Sequence, residues 1–163
     1  NELGRTAVDQ CATTSEARNI WVSITEGPDA VVLGDREQLI MAIHNLIENA
    51  INYSPEDTKV SVTTQSQDDI VEISVADQGI GISEDELERI FERFYRVDQA
   101  RSRQTGGTGL GLAIVRHAVV NHEADIDVES RLGEGTTFTM RFPSSKVSTD
   151  SNETEVSTLN KRT

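Results

Sequence analysis

Asp77-Gln78-Gly79-Ile80-Gly81 is the first of three segments whose residue types and spacing could do chemistry. A carboxylate at the end of an apolar strand can accept a hydrogen bond from an exocyclic amine, such as that of adenine. Glycine has no Cβ, so the backbone at Gly79 and Gly81 can come close to a flat ring. Taken alone, the motif is explained more simply as an Asp-Gly turn.

The second segment runs from Gly106 to Leu112 and has four glycines where an apolar helix is predicted to begin. Backbone N–H groups at a helix start have no partner within the helix, and the helix dipole favours negative charge there, which suits phosphate. A flexible loop before a helix is the alternative. The segment is not a P-loop, because no Gly-Lys-Ser/Thr follows, and Leu112 stands where Gly-x-Gly-x-x-Gly needs its third glycine.

Asn45, Asn49 and Asn52 form the third feature, because they lie within about 60° of one another around a predicted helix. Asparagine is a poor helix former, so three on one face have a cost that Lys or Glu would avoid. Amide oxygens can coordinate Mg²⁺, which accepts protein and phosphate oxygens together. A solvated polar face explains the stripe equally well.

Between the two glycine-rich segments lie five of the chain's fifteen basic residues: Arg89, Arg93, Arg96, Arg101 and Arg103. Those on the predicted helix can pair with neighbouring glutamates. Arg101 and Arg103 have few such partners, and they lie in a polar loop that could fold over a triphosphate.

Apolar periodicity and turn signals predict the elements that position these residues. Asp35 and Gln38 are a capping signal for a helix that ends near Tyr53, because Pro55 disfavours helical geometry in the residue before it. The predicted helices are 3–18, 35–53, 83–94 and 110–122, and the predicted strands are 20–25, 30–33, 59–64, 70–76, 126–130 and 136–142. Strand 30–33 is expected to pair back on 20–25. Adjacent strand pairs favour an antiparallel or mixed sheet with helices on one face over a regular βαβ repeat.

The composition excludes several classes of protein. A net charge of −13 argues against a nucleic-acid partner. No apolar run could span a membrane, and there is no secretory signal. Cys11 stands alone, which excludes a disulfide framework and favours a reducing cytoplasm. We expect one domain over 1–143 and a disordered tail over 144–163, in a fragment of a longer protein because the chain starts at Asn1.

At this point the motifs match a family in order and spacing. Asn45-Leu46-Ile47-Glu48-Asn49-Ala50 with Tyr53 resembles the N box of sensor histidine kinases, and Asp77-Gln78-Gly79-Ile80-Gly81 resembles their G1 box. Phe91-Glu92-Arg93-Phe94-Tyr95-Arg96 resembles the F box, and Gly107-Thr108-Gly109-Leu110-Gly111-Leu112 resembles the G2 box. Four ordered boxes are far more specific than any one of them.

The resemblance implies the catalytic and ATP-binding domain of a two-component sensor histidine kinase, in the wider gyrase, Hsp90, histidine kinase and MutL superfamily. The implied fold is a two-layer α/β (α+β) sandwich of the Bergerat type, with a mixed, mainly antiparallel sheet and a mobile ATP lid over 97–107. The implied cofactors are ATP and Mg²⁺. The implied partners are a dimerisation and histidine phosphotransfer domain of the same kinase and a response regulator. The isolated domain is expected to be a monomer, and the full kinase to be anchored in a membrane with this domain in the cytoplasm.

The resemblance also implies roles for individual residues. Asn45 and Asn49 would hold Mg²⁺, and Asn45 and Arg96 would act in catalysis. Asn52 would lie in the cofactor site, although relatives often carry Lys there. The other implied cofactor-binding residues are Tyr53, Asp77, Gly79 and Gly81 at the base, and Arg101, Arg103, Gly107, Thr108, Gly109, Leu110, Gly111 and Leu112 at the phosphates.

One contrast within the superfamily bears on mechanism. The gyrase-like and Hsp90-like branches carry a water-activating Glu where this chain has Asn45, and Asn cannot act as a base at neutral pH. ATP can therefore be kept for a protein histidine. Glu48 is a rival base, about 60° away from the asparagine stripe.

The acceptor histidine is expected on a domain before Asn1, because His44, His117 and His122 lack the family's acceptor motif. Two other interpretations stay open. The chain could be an ATPase that drives a clamp, or a module that binds nucleotide or a partner helix without catalysis.

Overall fold

The computed structural model of this chain describes residues 1–97 and 108–145. Its helices are α1 (Glu2–Gln10), α2 (Ala12–Ala17), α3 (Arg36–Tyr53), α4 (Glu84–Leu87) and α5 (Gly111–Asn121). Its strands are β1 (Trp21–Glu26), β2 (Lys59–Gln67), β3 (Ile70–Ala76), β4 (Asp125–Arg131) and β5 (Gly135–Pro143). Among the helices described, none is long and apolar enough to cross a membrane.

The five strands form one sheet in the order β1-β2-β3-β5-β4. β1 runs parallel to β2, whereas the other three strand pairs are antiparallel. The prediction of a mixed, mainly antiparallel sheet is confirmed.

Alternate residues of the central strands are buried, which places the core on one face of the sheet. The buried strand residues include Val60, Val62, Val71, Ile73, Val75, Phe138, Met140 and Phe142, and the apolar stripe of α3 supplies Leu39, Ile43, Leu46, Ile47 and Ala50. Full burial of a Val, Leu, Ile, Phe or Met side chain contributes about 1.5–3 kcal/mol to the stability of the fold. The residues between them on the strands are Ser, Thr and charged residues and stay partly exposed. The helices therefore cover a single face, as predicted.

Helix α3 begins and ends where local signals predict. Asp35 Oδ1 accepts the N–H groups of Glu37 and Gln38 at 2.9 and 3.0 Å, which is an N-cap. The N–H of Asp35 itself donates to His122 Nε2 at 2.9 Å. This bond ties the start of α3 to the end of α5. The Nδ1 atom of the same ring bonds to Ala118 O at 2.6 Å, so both ring nitrogens are engaged.

The predicted helix over 3–18 is two helices, because the chain turns at Cys11. The Cys11 N–H bonds to Val8 O at 3.0 Å, three residues back rather than four, and the residue has φ −91° and ψ −1°. This tighter turn ends α1 and redirects α2. Burial of the thiol raises the pKa of Cys11 to about 11.

The predicted strand over 30–33 is wrong. Only Val32 makes a bridge, with Ser144, and β1 pairs with β2 instead of with a hairpin partner. The Gly27 N–H continues that pairing to Thr64 O at 2.7 Å, although Gly27-Pro28-Asp29 is a turn signal that favours a hairpin. Ser145 also bonds to the backbone of Val31 at 2.7 Å, whereas the tail was expected to begin at residue 144.

The predicted helix over 83–94 is also shorter than expected. Regular helix covers only α4, and Ser83 precedes it without a side-chain cap bond. The chain then turns irregularly to Phe94, which has a positive φ of 65° and donates its N–H to Gly109 O at 2.9 Å. A helical residue donates its N–H to the carbonyl four residues before it, so this tertiary contact excludes Phe94 from a helix.

Candidate functional site

A cleft of about 270 Å³ opens between the second half of α3, the loop after β3 and the start of α5. Its walls are Asn45, Glu48, Asn49, Asn52, Tyr53, Asp77, Ile80, Gly81, Ile82, Ile90, Tyr95, Arg96, Val97, Thr108, Gly109, Gly111, Leu112, Thr136 and Phe138. The asparagine stripe and the two glycine-rich segments meet here, although they are far apart in sequence.

Asp77 is held at one end of the cleft by the strand next to it. Its Oδ1 accepts the N–H groups of Gly79 at 2.7 Å and Thr136 at 3.1 Å, and its own N–H donates to Thr136 O at 2.9 Å. Burial raises the pKa of the carboxyl, while the two N–H groups that it accepts lower it. Within residues 1–97 and 108–145 no donor reaches Oδ2, so this oxygen is available to a ligand.

The loop over residues 77–82 is fastened to both of its neighbours. Ile80 donates its N–H to Tyr53 O at 3.2 Å, and its carbonyl accepts the Gly133 N–H at 2.8 Å. A Cβ on Gly79 would lie 2.6 Å from Tyr53 O, and a Cβ on Gly81 would lie 2.0 Å from the Arg131 carbonyl oxygen. The two glycines are therefore required by packing against the protein's own backbone.

The asparagine stripe of α3 faces the cleft rather than solvent. Asn45 Nδ2 donates to Met41 O at 2.8 Å, which fixes the amide and leaves its Oδ1 for other contacts. That oxygen would lie 3.0 Å from a Cβ on Gly111, so it faces the start of α5. Asn49 and Asn52 line the same wall. The stripe therefore forms one wall of the cleft.

The start of α5 presents backbone N–H groups to the same end of the cleft. Leu110 precedes the helix and gives its first turn no side-chain cap, and its own N–H bonds to Thr108 Oγ1 at 3.3 Å. Gly109 has a positive φ of 71°, which glycine adopts without strain. Gly111 keeps the space beside Asn45 open.

Tyr95 and Arg96 close a further side of the cleft. The Tyr95 hydroxyl donates to Glu86 Oε1 at 3.2 Å, and the Arg89 guanidinium lies 4.2 Å above the centre of the Tyr95 ring. This stacking and hydrogen bond hold the aromatic ring against α4, beside the cleft.

The two ends of the cleft differ in chemistry. One end has the Asp77 Oδ2 atom, to which no group in residues 1–97 and 108–145 donates, beside the apolar side chains of Ile80, Ile82 and Phe138. The other has the Asn45 amide oxygen and an uncapped helix start. A purine with an exocyclic amine fits the first end, and a phosphate chain with a divalent cation fits the second.

Comparison with known proteins identifies the family. The sequence profile of the histidine kinase-, DNA gyrase B- and HSP90-like ATPases matches residues 34–146, which contain every segment of the cleft. The chain belongs to this ATPase family. The carboxylate, the amide oxygens and the helix start all lie within the matched residues.

Within this family the chain is similar to sensor histidine kinases. It is 53% identical over 129 residues to the sensor-like histidine kinase SenX3 of Mycolicibacterium smegmatis, covering 78% of this chain and 34% of that protein. It is 39% identical over 133 residues to the phosphate regulon sensor protein PhoR of Pseudomonas aeruginosa, covering 82% of this chain and 30% of that protein. The chain thus spans about a third of the length of these relatives.

Solved structures of histidine kinases also resemble this chain. The mycobacterial sensor histidine kinase MprB superposes with a TM-score of 0.75 at 30% identity, over 88% of this chain and 93% of that one. Full-length ShkA in complex with AMPPNP superposes with a TM-score of 0.76 at 29% identity, over 88% of this chain and 29% of that one. The predicted resemblance to the catalytic domain of sensor histidine kinases, and the fold it implied, are confirmed.

The structure brings most of the predicted site residues to the cleft of this ATPase domain. Gly79 and Leu110 are the described exceptions, since neither lines it. Gly79 instead donates to Asp77 and makes room for the Tyr53 carbonyl. Arg101, Arg103 and Gly107 lie outside the described residues, as does the predicted lid apart from Val97.

Sequence reasoning missed the apolar walls of the cleft and the partner of its carboxylate. Ile80, Ile82, Ile90 and Phe138 look like ordinary core residues in sequence, so nothing marks them as ligand contacts. Thr136 had a weak signal, because it follows the glycine turn at 133–135.

Proposed function

We propose that this domain binds Mg-ATP in the cleft and passes the γ-phosphoryl group to a histidine on a separate dimerisation and phosphoacceptor domain of the same kinase. The observation that carries the proposal is the pairing of the two ends of the cleft. At one end lies the Asp77 Oδ2 atom, which has no donor among the residues that the structure describes, and at the other lies the Asn45 amide oxygen beside the start of α5.

At the base end, Asp77 accepts the exocyclic amine of adenine on Oδ2, because Oδ1 is already engaged. Gly81 and Tyr53 lie against the ring together with the apolar walls. Guanine has a carbonyl in place of that amine. Its oxygen and the carboxylate oxygen are both acceptors and cannot bond to each other, so the site favours adenine over guanine.

At the phosphate end, Asn45 and Asn49 hold Mg²⁺ by their amide oxygens, which are the hard ligands that this cation prefers. Mg²⁺ supplies neutralisation of the phosphate charge when bound there. Asn52 lies in the same wall. Arg96 and the backbone N–H groups from Thr108 to Leu112 receive phosphate oxygens, together with Gly107 and the lid arginines Arg101 and Arg103.

The transfer forms a bond between a histidine nitrogen and the γ-phosphorus. It breaks the bond from that phosphorus to the bridging oxygen, and ADP leaves. Asn45 cannot take a proton from water, which disfavours hydrolysis as the main reaction. Glu48 is the other candidate for a base that takes a proton from water, because it also lines the cleft.

Two of the three histidines in this chain, His117 and His122, are poor acceptors. His122 is buried and uses both ring nitrogens in hydrogen bonds, to Asp35 and Ala118. His117 Nε2 bonds to Asn121 at 3.1 Å. We propose that the acceptor histidine lies on another domain and that a cognate response regulator takes the phosphoryl group from it. We further propose a monomeric domain over residues 1–143, on the cytoplasmic side of a membrane-anchored kinase.

The test is transfer from labelled ATP with Mg²⁺ to the separately expressed phosphoacceptor domain encoded upstream in the same gene. We expect label on the acceptor histidine only when this chain is present, with slow release of inorganic phosphate from the chain alone. The control is the same reaction without the acceptor domain. Self-labelling on His44, His117 or His122 would refute the proposal, and rapid phosphate release without acceptor would favour the ATPase interpretation.

A further inference from the structure

Ser130 lies outside the cleft, in β4 opposite Thr136 of β5, and its hydroxyl contacts two backbone groups and one side-chain hydroxyl. The Ile82 N–H donates to Ser130 Oγ at 2.8 Å, Ser130 Oγ donates to Gly135 O at 3.0 Å, and the Thr136 Oγ1 atom lies 2.8 Å away. We infer that Ser130 is a positioning residue for the adenine end of the site and sets its selectivity for the base; this rests on the proposed function.

The proton count at this hydroxyl fixes the direction of each bond. A serine hydroxyl has one proton and two acceptor positions. Its proton goes to Gly135 O, so the Thr136 hydroxyl must donate to Ser130 Oγ, and the Ile82 N–H takes the remaining acceptor position. All three positions are used, so replacing the hydroxyl leaves several partners unsatisfied at once.

These bonds reach both ends of the adenine loop over residues 77–82. At its far end Ser130 receives the Ile82 N–H directly. At its near end Ser130 fixes Thr136, whose N–H bonds to Asp77 Oδ1 and whose carbonyl accepts the Asp77 N–H. The orientation of Asp77 Oδ2 toward the base depends on both.

No other side chain outside the loop ties it to the β4–β5 turn within the described part of the chain. The Gly133 bond to Ile80 and the Asp77 bond to Thr136 O join backbone to backbone, which a substitution does not remove. Ser130 is therefore the position where the loop can be loosened while every residue lining the cleft is kept.

The test compares Ser130→Ala with Ser130→Thr, which retains the hydroxyl. Binding of Mg-ATP and Mg-GTP is measured by displacement of a fluorescent ATP analogue. We expect Ser130→Ala to weaken ATP binding by about tenfold, the size of one lost hydrogen bond, with GTP affinity unchanged. The ratio of ATP affinity to GTP affinity then falls by the same factor. Ser130→Thr should keep most of the wild-type ratio, because it retains the hydroxyl.

The matched control is Ser74→Ala. Ser74 Oγ pairs with Thr139 Oγ1 at 3.3 Å across two strands of the same sheet and does not line the cleft. We expect this variant to keep the wild-type ATP-to-GTP ratio even if its melting temperature falls. Should Ser130→Ala not fold, Ser130→Cys takes its place, because a thiol is a weaker donor and acceptor.

The outcomes separate the inference from the proposed function. If the wild-type chain does not bind Mg-ATP, the proposed function fails. If it binds and Ser130→Ala weakens ATP and GTP equally, or neither, the positioning role of Ser130 is overturned while the proposed function stands.

Discussion

Replacing Asp77 by Asn tests the base end of the cleft with little change in shape. Asn keeps an oxygen that can accept the N–H groups of Gly79 and Thr136, which now go to Asp77 Oδ1. Its Nδ2 takes the place of Oδ2. An amide nitrogen donates, and so does the exocyclic amine of adenine, so the variant puts two donors face to face.

The magnitude follows from the lost bond. A hydrogen bond to a charged group contributes about 1.5–3 kcal/mol. At about 1.4 kcal/mol per factor of ten, Asp77→Asn should weaken Mg-ATP binding by roughly ten- to a hundredfold. GTP should weaken less, because the Asn amide can donate to the carbonyl that guanine carries in place of the amine.

The Asp77→Asn substitution should not lower the stability of the fold, although it weakens ATP binding. Burial raises the folded-state pKa of the Asp77 carboxyl above its ordinary 3.8. The protonated carboxyl therefore stabilises the fold at low pH, and that contribution is lost as the pH rises through the raised pKa. At neutral pH the neutral amide of Asp77→Asn should melt no lower than wild type. Binding of adenosine, which carries no phosphate, should weaken as the pH falls through the same pKa.

Isothermal titration calorimetry with ATP and GTP, together with thermal unfolding, measures both effects. Asp125→Asn is the control, because it removes an equal charge from an exposed position of β4 away from the cleft. Wild-type ATP affinity in Asp77→Asn would refute the role given to this carboxylate. A large loss in melting temperature would show instead that the carboxylate is needed to hold the loop.

Two further substitutions test how the site is supported. Gly81→Ala combines a positive φ of 71° with a Cβ 2.0 Å from Arg131 O, so it should cost more than the roughly 1–2 kcal/mol of a left-handed residue alone. Gly133→Ala has a similar φ of 80° but open space, and chemical denaturation should show it to be clearly less destabilising. His122→Ala removes the acceptor for the Asp35 N–H and should cost about 1–3 kcal/mol of stability with ATP affinity near wild type, whereas a matching loss of affinity would contradict a purely structural role.

Elements with local signals were predicted closely from sequence. Helix α3 has a capping aspartate at one end and a proline just beyond the other, and its observed bounds match these signals. The last two strands alternate apolar and polar residues around a glycine turn, and they pair as predicted. Each of these signals acts over a few residues, so no distant contact was needed to interpret it.

Elements decided by distant partners were predicted less well. The turn Gly27-Pro28-Asp29 favours a hairpin, yet β1 pairs in parallel with β2, which lies more than thirty residues further along the chain. The helix predicted to reach Phe94 stops at Leu87, and the Phe94 N–H bonds to the distant Gly109 instead of within a helix. Neither partner can be identified from periodicity, since periodicity reports which face of a segment is buried and not what covers it.

Residues of the cleft divide in the same way. Asn45, Asn49 and Asn52 were found because asparagine is a poor helix former, so three on one face of a helix are unusual. Ile82 and Phe138 were not, because an apolar wall of a cleft looks like core. A sequence thus indicates the groups that bind a ligand by polarity and charge, and conceals those that bind it by shape.

The two ends of the cleft are fixed by separate sets of hydrogen bonds, and this has a consequence for binding. Asn45 is oriented within α3 by Met41 O, independently of the β4–β5 turn. Asp77 is oriented by Thr136, and through it by Ser130. Groups oriented before a ligand arrives lose little conformational entropy on binding, so each end contributes to affinity independently. Substitutions in the turn should therefore change the choice of base and leave affinity for the phosphate chain intact. Substitution of Asn45 itself should weaken affinity for the phosphate chain and leave the choice of base unchanged.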